Sequence, residues 1–129
     1  MSIPGITRIL TSGHATPRAY EPMSLEILTR LAQALSSAKK DRDILLRIMP
    51  GSGINVRSID SVLSALYPIG VKEYHMSGGS WVDGACEVSA RREEDTFQMG
   101  MPGHLEWMVW RTDAASVRAV AEACTKLLA

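Results

Sequence analysis

What most constrains this chain is a recurring pattern. A short run rich in apolar and β-branched residues closes on a Gly-containing turn, and an apolar helical period follows. Ile6-Thr7-Arg8-Ile9-Leu10 stops at Thr11-Ser12-Gly13, which reads as a strand ending in a turn. Past a polar loop with Pro17 and Pro22, Leu25, Leu28, Leu31, Ala32 and Leu35 recur at three- and four-residue spacing, the mark of a helix with one apolar face. Pro22 suits the first helical turn, where its missing N–H leaves nothing unsatisfied.

The pattern then returns. Ile44-Leu45-Leu46-Arg47-Ile48-Met49 is nearly continuous in apolar residues, as expected of a parallel strand covered on both faces, and it stops at Pro50-Gly51-Ser52-Gly53. Asn55 is a suitable N-cap for a second helix carrying Ile59, Val62, Leu63 and Leu66 and ending near Tyr67-Pro68. A third strand is expected over Val71-Lys72-Glu73-Tyr74-His75, running into Ser77-Gly78-Gly79. Strand and helix alternating in this way predict an α/β fold with about three parallel βα units joined by right-handed crossovers.

Residues 80–105 break the rhythm with Gly84, Gly100, Pro102, Gly103 and the charge run Arg91-Arg92-Glu93-Glu94-Asp95. They read as a long loop excursion, of a length that is usually functional or flexible, with the charge run as a solvated, internally balanced stretch. The apolar stretch 107–110 is expected to pack back on the body. Thr112 or Asp113 then caps a last helix with Val117, Val120, Ala121, Cys124, Leu127 and Leu128 on one face.

At 129 residues with 46% hydrophobic content, residues 1–129 suit a single domain with a core of its own. Fourteen basic residues balance fourteen acidic ones, so no long-range field favours nucleic acid or an anionic membrane. Cys86 and Cys124 stand apart with no CxxC and no ligand-spaced histidine, which is neither a disulfide framework nor a zinc motif. Reduced thiols, no apolar run long enough to span a bilayer and a start without the regions of a signal peptide predict a cytoplasmic protein.

Aligning the expected strands on their terminal turns puts Arg8, Arg47 and Glu73 in one column. Leu10, Met49 and His75 form the next, followed by Ser12, Gly51 and Ser77. Side chains two apart on a strand share a face, so each column points to one side of the sheet. If that side is a barrel interior, Arg8 and Glu73 share a layer as a buried ion pair; otherwise these charges sit near the strand starts and reach solvent.

Three segments in order, Arg8-Ile9-Leu10-Thr11-Ser12-Gly13, Ile48-Met49-Pro50-Gly51-Ser52-Gly53 and Gly70-Val71-Lys72-Glu73-Tyr74-His75-Met76-Ser77, resemble the C-terminal half of the CutC family of copper-homeostasis proteins. Gly5-Ile6 and Thr112-Asp113 fit the same pattern, so the resemblance runs over nearly the whole chain. It implies a partial (β/α)₈ TIM barrel, with these segments as the last three strands, and a role in copper homeostasis with Cu(I) bound. The segment after Gly79 looks more like a eukaryotic version of the family than a bacterial one. The family's N-terminal strands, with a His-Arg-Ala-Phe-Asp type segment and the cysteines suspected of holding Cu(I), have no counterpart here. Neither Cys86 nor Cys124 inherits a copper role by position.

The candidate site residues lie where strands end. Ser12, Gly13, Gly51, Ser52, Gly53, His75 and Ser77 form the expected ligand or anion-binding rim. The 50–53 turn suits an anion such as phosphate if its N–H groups converge beside a helix start, and is otherwise only a tight connection. His75 is the candidate metal ligand or acid/base group, against a structural histidine bonded to the backbone. Met49, Met76, Met99, Met101 and Cys86 are soft donors suited to Cu(I), although methionine more often fills cores. Cys124 reads as packing, His14 and His104 as loop residues, and Trp81, Trp107 and Trp110 as cover for apolar surface.

Three functions stay open. One is a CutC-like protein of copper homeostasis. Another is a TIM-barrel enzyme or phosphate- or anion-binding protein using the strand ends, with no reaction assignable because neither paired carboxylates nor a nucleophile triad is present. The third is a non-catalytic self-assembling fragment. Three strands alone leave open edges, so the expected partner is a second copy, in a homo-oligomer that completes a barrel or extends the sheet, or a missing N-terminal barrel half.

Overall fold

In a computed structural model of the chain, residues 5–41, 46–84 and 108–128 are described. Strand β1 (Arg8–Thr11) leads through the 12–21 loop into helix α1 (Pro22–Asp41). Strand β2 (Arg47–Pro50) follows, then helix α2 (Ile59–Leu66), strand β3 (Gly79–Asp83), strand β4 (Met108–Thr112) and helix α3 (Ala114–Leu128). β1 and β2 pair in parallel with Arg8 opposite Arg47 and Leu10 opposite Met49. β3 and β4 form a separate antiparallel pair.

The molecule is therefore a small α/β protein with two two-stranded sheets, one parallel and one antiparallel, and three helices. The expectation of about three parallel βα units from a TIM barrel is overturned. Val71–His75 is not a strand, and part of the cause is local. In the β1–β2 ladder Arg47 and Gly51 donate to Thr7 and Thr11, so the intervening Ile48 and Pro50 turn their backbone groups the other way, toward residues 71–75. The Pro50 carbonyl accepts the His75 N–H at 2.9 Å. The next bond of a parallel ladder would run from residue 50 to the Glu73 carbonyl, and proline has no N–H to make it. Farther back, an open groove of about 320 Å³ lies between the start of β2 and residues 69–73.

The expected helices are present, but the face expected on α3 is buried only at Val120, with Val117, Ala121, Leu127 and Leu128 exposed. Ile59, Val62, Leu63 and Leu66 are all buried on α2, whose spacing places them on one face. Leu28 and Ala32 of α1 meet them, with Ile48, Ile54, Val71 and Val120 completing the core. α2 begins at Ile59 rather than Asn55, because residues 55–58 form a turn first. There the Ser58 Oγ accepts the Asn55 N–H and donates to the Gly53 carbonyl, both at 2.9 Å. Asp113 caps α3, its carboxylate accepting the Ser116 N–H at 2.7 Å and the Ser116 hydroxyl at 2.8 Å. These bonds hold the Asp113 pKa below its ordinary value.

Of the expected excursion, residues 80–83 belong to β3, and 85–105 lie outside the described residues together with Cys86, Met99, Met101, His104 and the Arg91–Asp95 run. Trp81 and Trp110, directly opposite across the hairpin, meet edge to face with ring centroids 5.5 Å apart. Both stay exposed, so they cover one another more than the body of the protein. Trp107 is outside the described residues.

Candidate functional site

The ends of β1 and β2 and the His75 segment converge. Gly51 donates its N–H to the Thr11 carbonyl at 3.0 Å, and His75 donates to the neighbouring Pro50 carbonyl. A Cβ on Gly51 would lie 2.7 Å from Leu10 Cδ1 and 3.3 Å from both His75 Cβ and Nδ1. The absent side chain is what lets the imidazole and the leucine close over the strand end. The alignment of the turns set His75 level with Leu10 and Met49, but the third segment is shifted by two: the His75 N–H bonds to the Pro50 carbonyl, which brings His75 beside Gly51, where it meets Leu10.

The remaining rim residues are spread around this centre and mostly engaged. Ser12 Oγ accepts the His14 N–H at 3.3 Å, and Gly13 donates to Thr11 Oγ1 at 3.1 Å. Ser52, in the left-handed region at φ 79°, is held there from two sides. Its hydroxyl donates to the Pro17 carbonyl at 2.6 Å and its own carbonyl accepts the Ala19 N–H at 3.0 Å. The Gly53 carbonyl accepts from Asn55 and Ser58. Ser77 offers its carbonyl to Thr112 Oγ1 at 3.0 Å. The 50–53 turn is thus held through the Ser52 hydroxyl, two carbonyls and the Gly51 N–H, and α2 begins beyond it, at Ile59.

Arg8, Arg47 and Glu73 do come together. The Glu73 carboxylate accepts from Arg8 Nε and, at 3.2 Å, from Arg8 Nη2, and Arg47 Nη1 reaches it at 3.3 Å. The alternative in which this pair is buried is overturned. The Arg8 and Arg47 side chains are 54% and 59% exposed and that of Glu73 26%, because among the described residues no layer lies over this face. The Arg8 hydrogen bond, followed by the Arg8 and Arg47 charges, holds the Glu73 carboxyl below its ordinary range against the opposing pull of desolvation.

Two contributors escaped the sequence reading. Ser24, fully buried on α1, meets Thr16 Oγ1 at 2.7 Å and accepts the Thr16 N–H at 3.2 Å, tying the 13–20 loop to the helix. Its only signal is a serine one residue before the apolar stripe. Arg18 and Tyr20 flank Gly53, where an added Cβ would be 3.1 Å from the Tyr20 ring, and Arg18 Nη1 donates to the Tyr20 hydroxyl at 2.7 Å. Nothing in a polar loop announces that contact.

Among the described residues no three of His, Cys, Asp and Glu gather as a metal-holding group. Cys124 is half-buried against the core. Beside it the Tyr74 hydroxyl donates to the Val71 carbonyl at 2.8 Å, and burial pushes its pKa well up. No helix among the described residues is long and apolar enough to cross a membrane. No family model matches the chain, and no curated protein matches it.

Proposed function

We propose that the chain takes part in copper handling as a cytoplasmic protein of the CutC type, meeting Cu(I) as cargo at the strand ends. The reading rests first on the ordered resemblance of the three segments. The observation that supports it in the fold is the contact of Gly51 with His75, which leaves an exposed imidazole over the strand end. Met49 lies two residues before Gly51 on the same side of β2. Imidazole and thioether are donors that Cu(I) accepts.

The described residues do not by themselves make a closed copper centre, so no transfer step is assigned to them. Anaerobic titration with Cu(I) against a chromophoric chelator is the test. Stoichiometric binding that weakens roughly tenfold in His75→Ala, a loss of about 1.4 kcal/mol, is expected. Absence of binding, or equal affinity in the variant, would remove the proposal.

A further inference from the structure

The groove of about 320 Å³ between the start of β2 and residues 69–73 lies at the opposite end of β2 from His75, and its two sides differ. α1 contributes Ala32 and Leu35, and Ile69 and Val71 add further apolar wall. Arg47, Lys72 and Glu73 line it too. Strand alternation sets Arg47 and Ile48 on opposite faces of β2. The groove is therefore apolar toward α1 and charged toward the open face, where Glu73 meets Arg8.

Two features of this wall point to an occupant. The first is a backbone donor. Arg47 and Gly51 give their N–H groups to β1, so by alternation the Ile48 N–H turns the other way, to the groove. Ile48 is only 6% exposed, and its N–H has no hydrogen-bond partner among the described residues. A buried N–H without a partner is rare. The second feature is charge. Arg8 takes the Glu73 carboxylate through two nitrogens, and Arg47 reaches it through one, at 3.3 Å. Glu73 thus leaves most of the Arg47 fork unused, and such a fork matches a carboxylate through two parallel bonds. Lys72, whose ammonium donates to the Tyr67 carbonyl at 3.1 Å, adds a second positive charge to the lining.

We infer that the groove binds a small aliphatic carboxylate, its acid group on Arg47 and the Ile48 N–H and its hydrocarbon tail against Leu35 and Ile69. The volume stands at the lower end of the range of about 300–1,000 Å³ for small-molecule sites, which suits a short acid better than a nucleotide. Two of the three charged lining residues are basic, so an anion is favoured over a cation of the same shape. The site is separate from the strand ends around His75 and does not depend on copper binding there.

Titration of the isotopically labelled full chain with butanoate, pentanoate and hexanoate, followed by NMR, is expected to give a saturable shift of the Ile48 amide. Affinity is expected to rise roughly three- to fourfold with each added methylene. Pentylammonium, which carries the same tail as hexanoate and the opposite charge, is expected not to bind. Arg47→Gln, at a side chain that is 59% exposed, is expected to weaken hexanoate at least about tenfold, or about 1.4 kcal/mol. Ser36 is exposed on α1 where that helix lines the groove. Ser36→Trp directs an indole into the groove and leaves Arg47 in place, so it is expected to abolish binding with an unchanged far-UV circular dichroism spectrum. Absence of a saturable shift at Ile48 overturns the inference. Equal binding of pentylammonium, an affinity unchanged by Arg47→Gln, or binding that survives Ser36→Trp overturns it as well.

Discussion

Glu73 holds Arg8 through two guanidinium nitrogens across 65 positions of sequence, and the same carboxylate takes Arg47 from the adjacent strand at 3.3 Å. One acidic side chain on an extended segment outside the sheet therefore clamps both strands of the parallel pair. Because the cluster is open to water its contribution is modest and screened by salt.

Its pH dependence has a definite sign. The Glu73 pKa is lowered in the folded protein, chiefly by the Arg8 hydrogen bond. The stabilisation is present above the ordinary glutamate value of about 4.3 and is lost as pH falls through the lower folded-state value. In urea titrations across that window, Glu73→Gln is expected to be less stable than the parent at neutral pH and to converge with it in acid. A stability difference that does not narrow toward acid would contradict the assignment.

Pro50 leaves the bond from residue 50 to the Glu73 carbonyl unmade, so restoring a donor there has a specific expectation. Pro50→Ala supplies an N–H aimed at the Glu73 carbonyl. The His75 amide, bonded to the Pro50 carbonyl at 2.9 Å, is then expected to exchange with solvent more slowly as pairing extends. Loss of the proline's rigidity in the unfolded chain works against this by about 0.4–1 kcal/mol. Hydrogen exchange read by NMR separates the two effects, and a faster His75 amide would show that the missing donor is not what limits the pairing.

Ser24→Ala leaves Thr16 without the partner of its N–H and of one side of its hydroxyl in a part-buried place. The expected cost is about 1–3 kcal/mol, seen as a lower urea midpoint at unchanged slope. Greater protease sensitivity within residues 13–20 should accompany it. A variant as stable as the parent would mean that water replaces the serine.

Much of the local structure was legible because it depends on short-range patterns. The spacing of Ile59, Val62, Leu63 and Leu66 defines a helix face whatever it packs on, and all four are buried. Asp113 caps α3 through residues only three positions away. That Arg8, Arg47 and Glu73 share a face was legible for a related reason, since side chains two apart keep to one side; that Glu73 bonds both arginines in the open was not.

The candidate site was legible only in part. The common face of Leu10, Gly51 and His75 followed from the same phase, but the register that sets His75 beside Gly51 rather than Met49 did not. The commitment of Ser52 to Pro17 and Ala19 depends on how the 13–20 loop folds over the turn, and no periodicity encodes that.

The strand-ending turns and the buried face of α2 were determined by sequence alone, since each arises from residues within a turn or two of one another. Tertiary structure alone decided that 71–75 stays beside the sheet rather than in it, that residues 79–83 and 108–112 pair as a separate hairpin, and that the charged face is open. Those outcomes turn on which distant backbone groups find donors and which surfaces find cover, and a missing N–H at Pro50 changes the first without altering any local preference of residues 71–75.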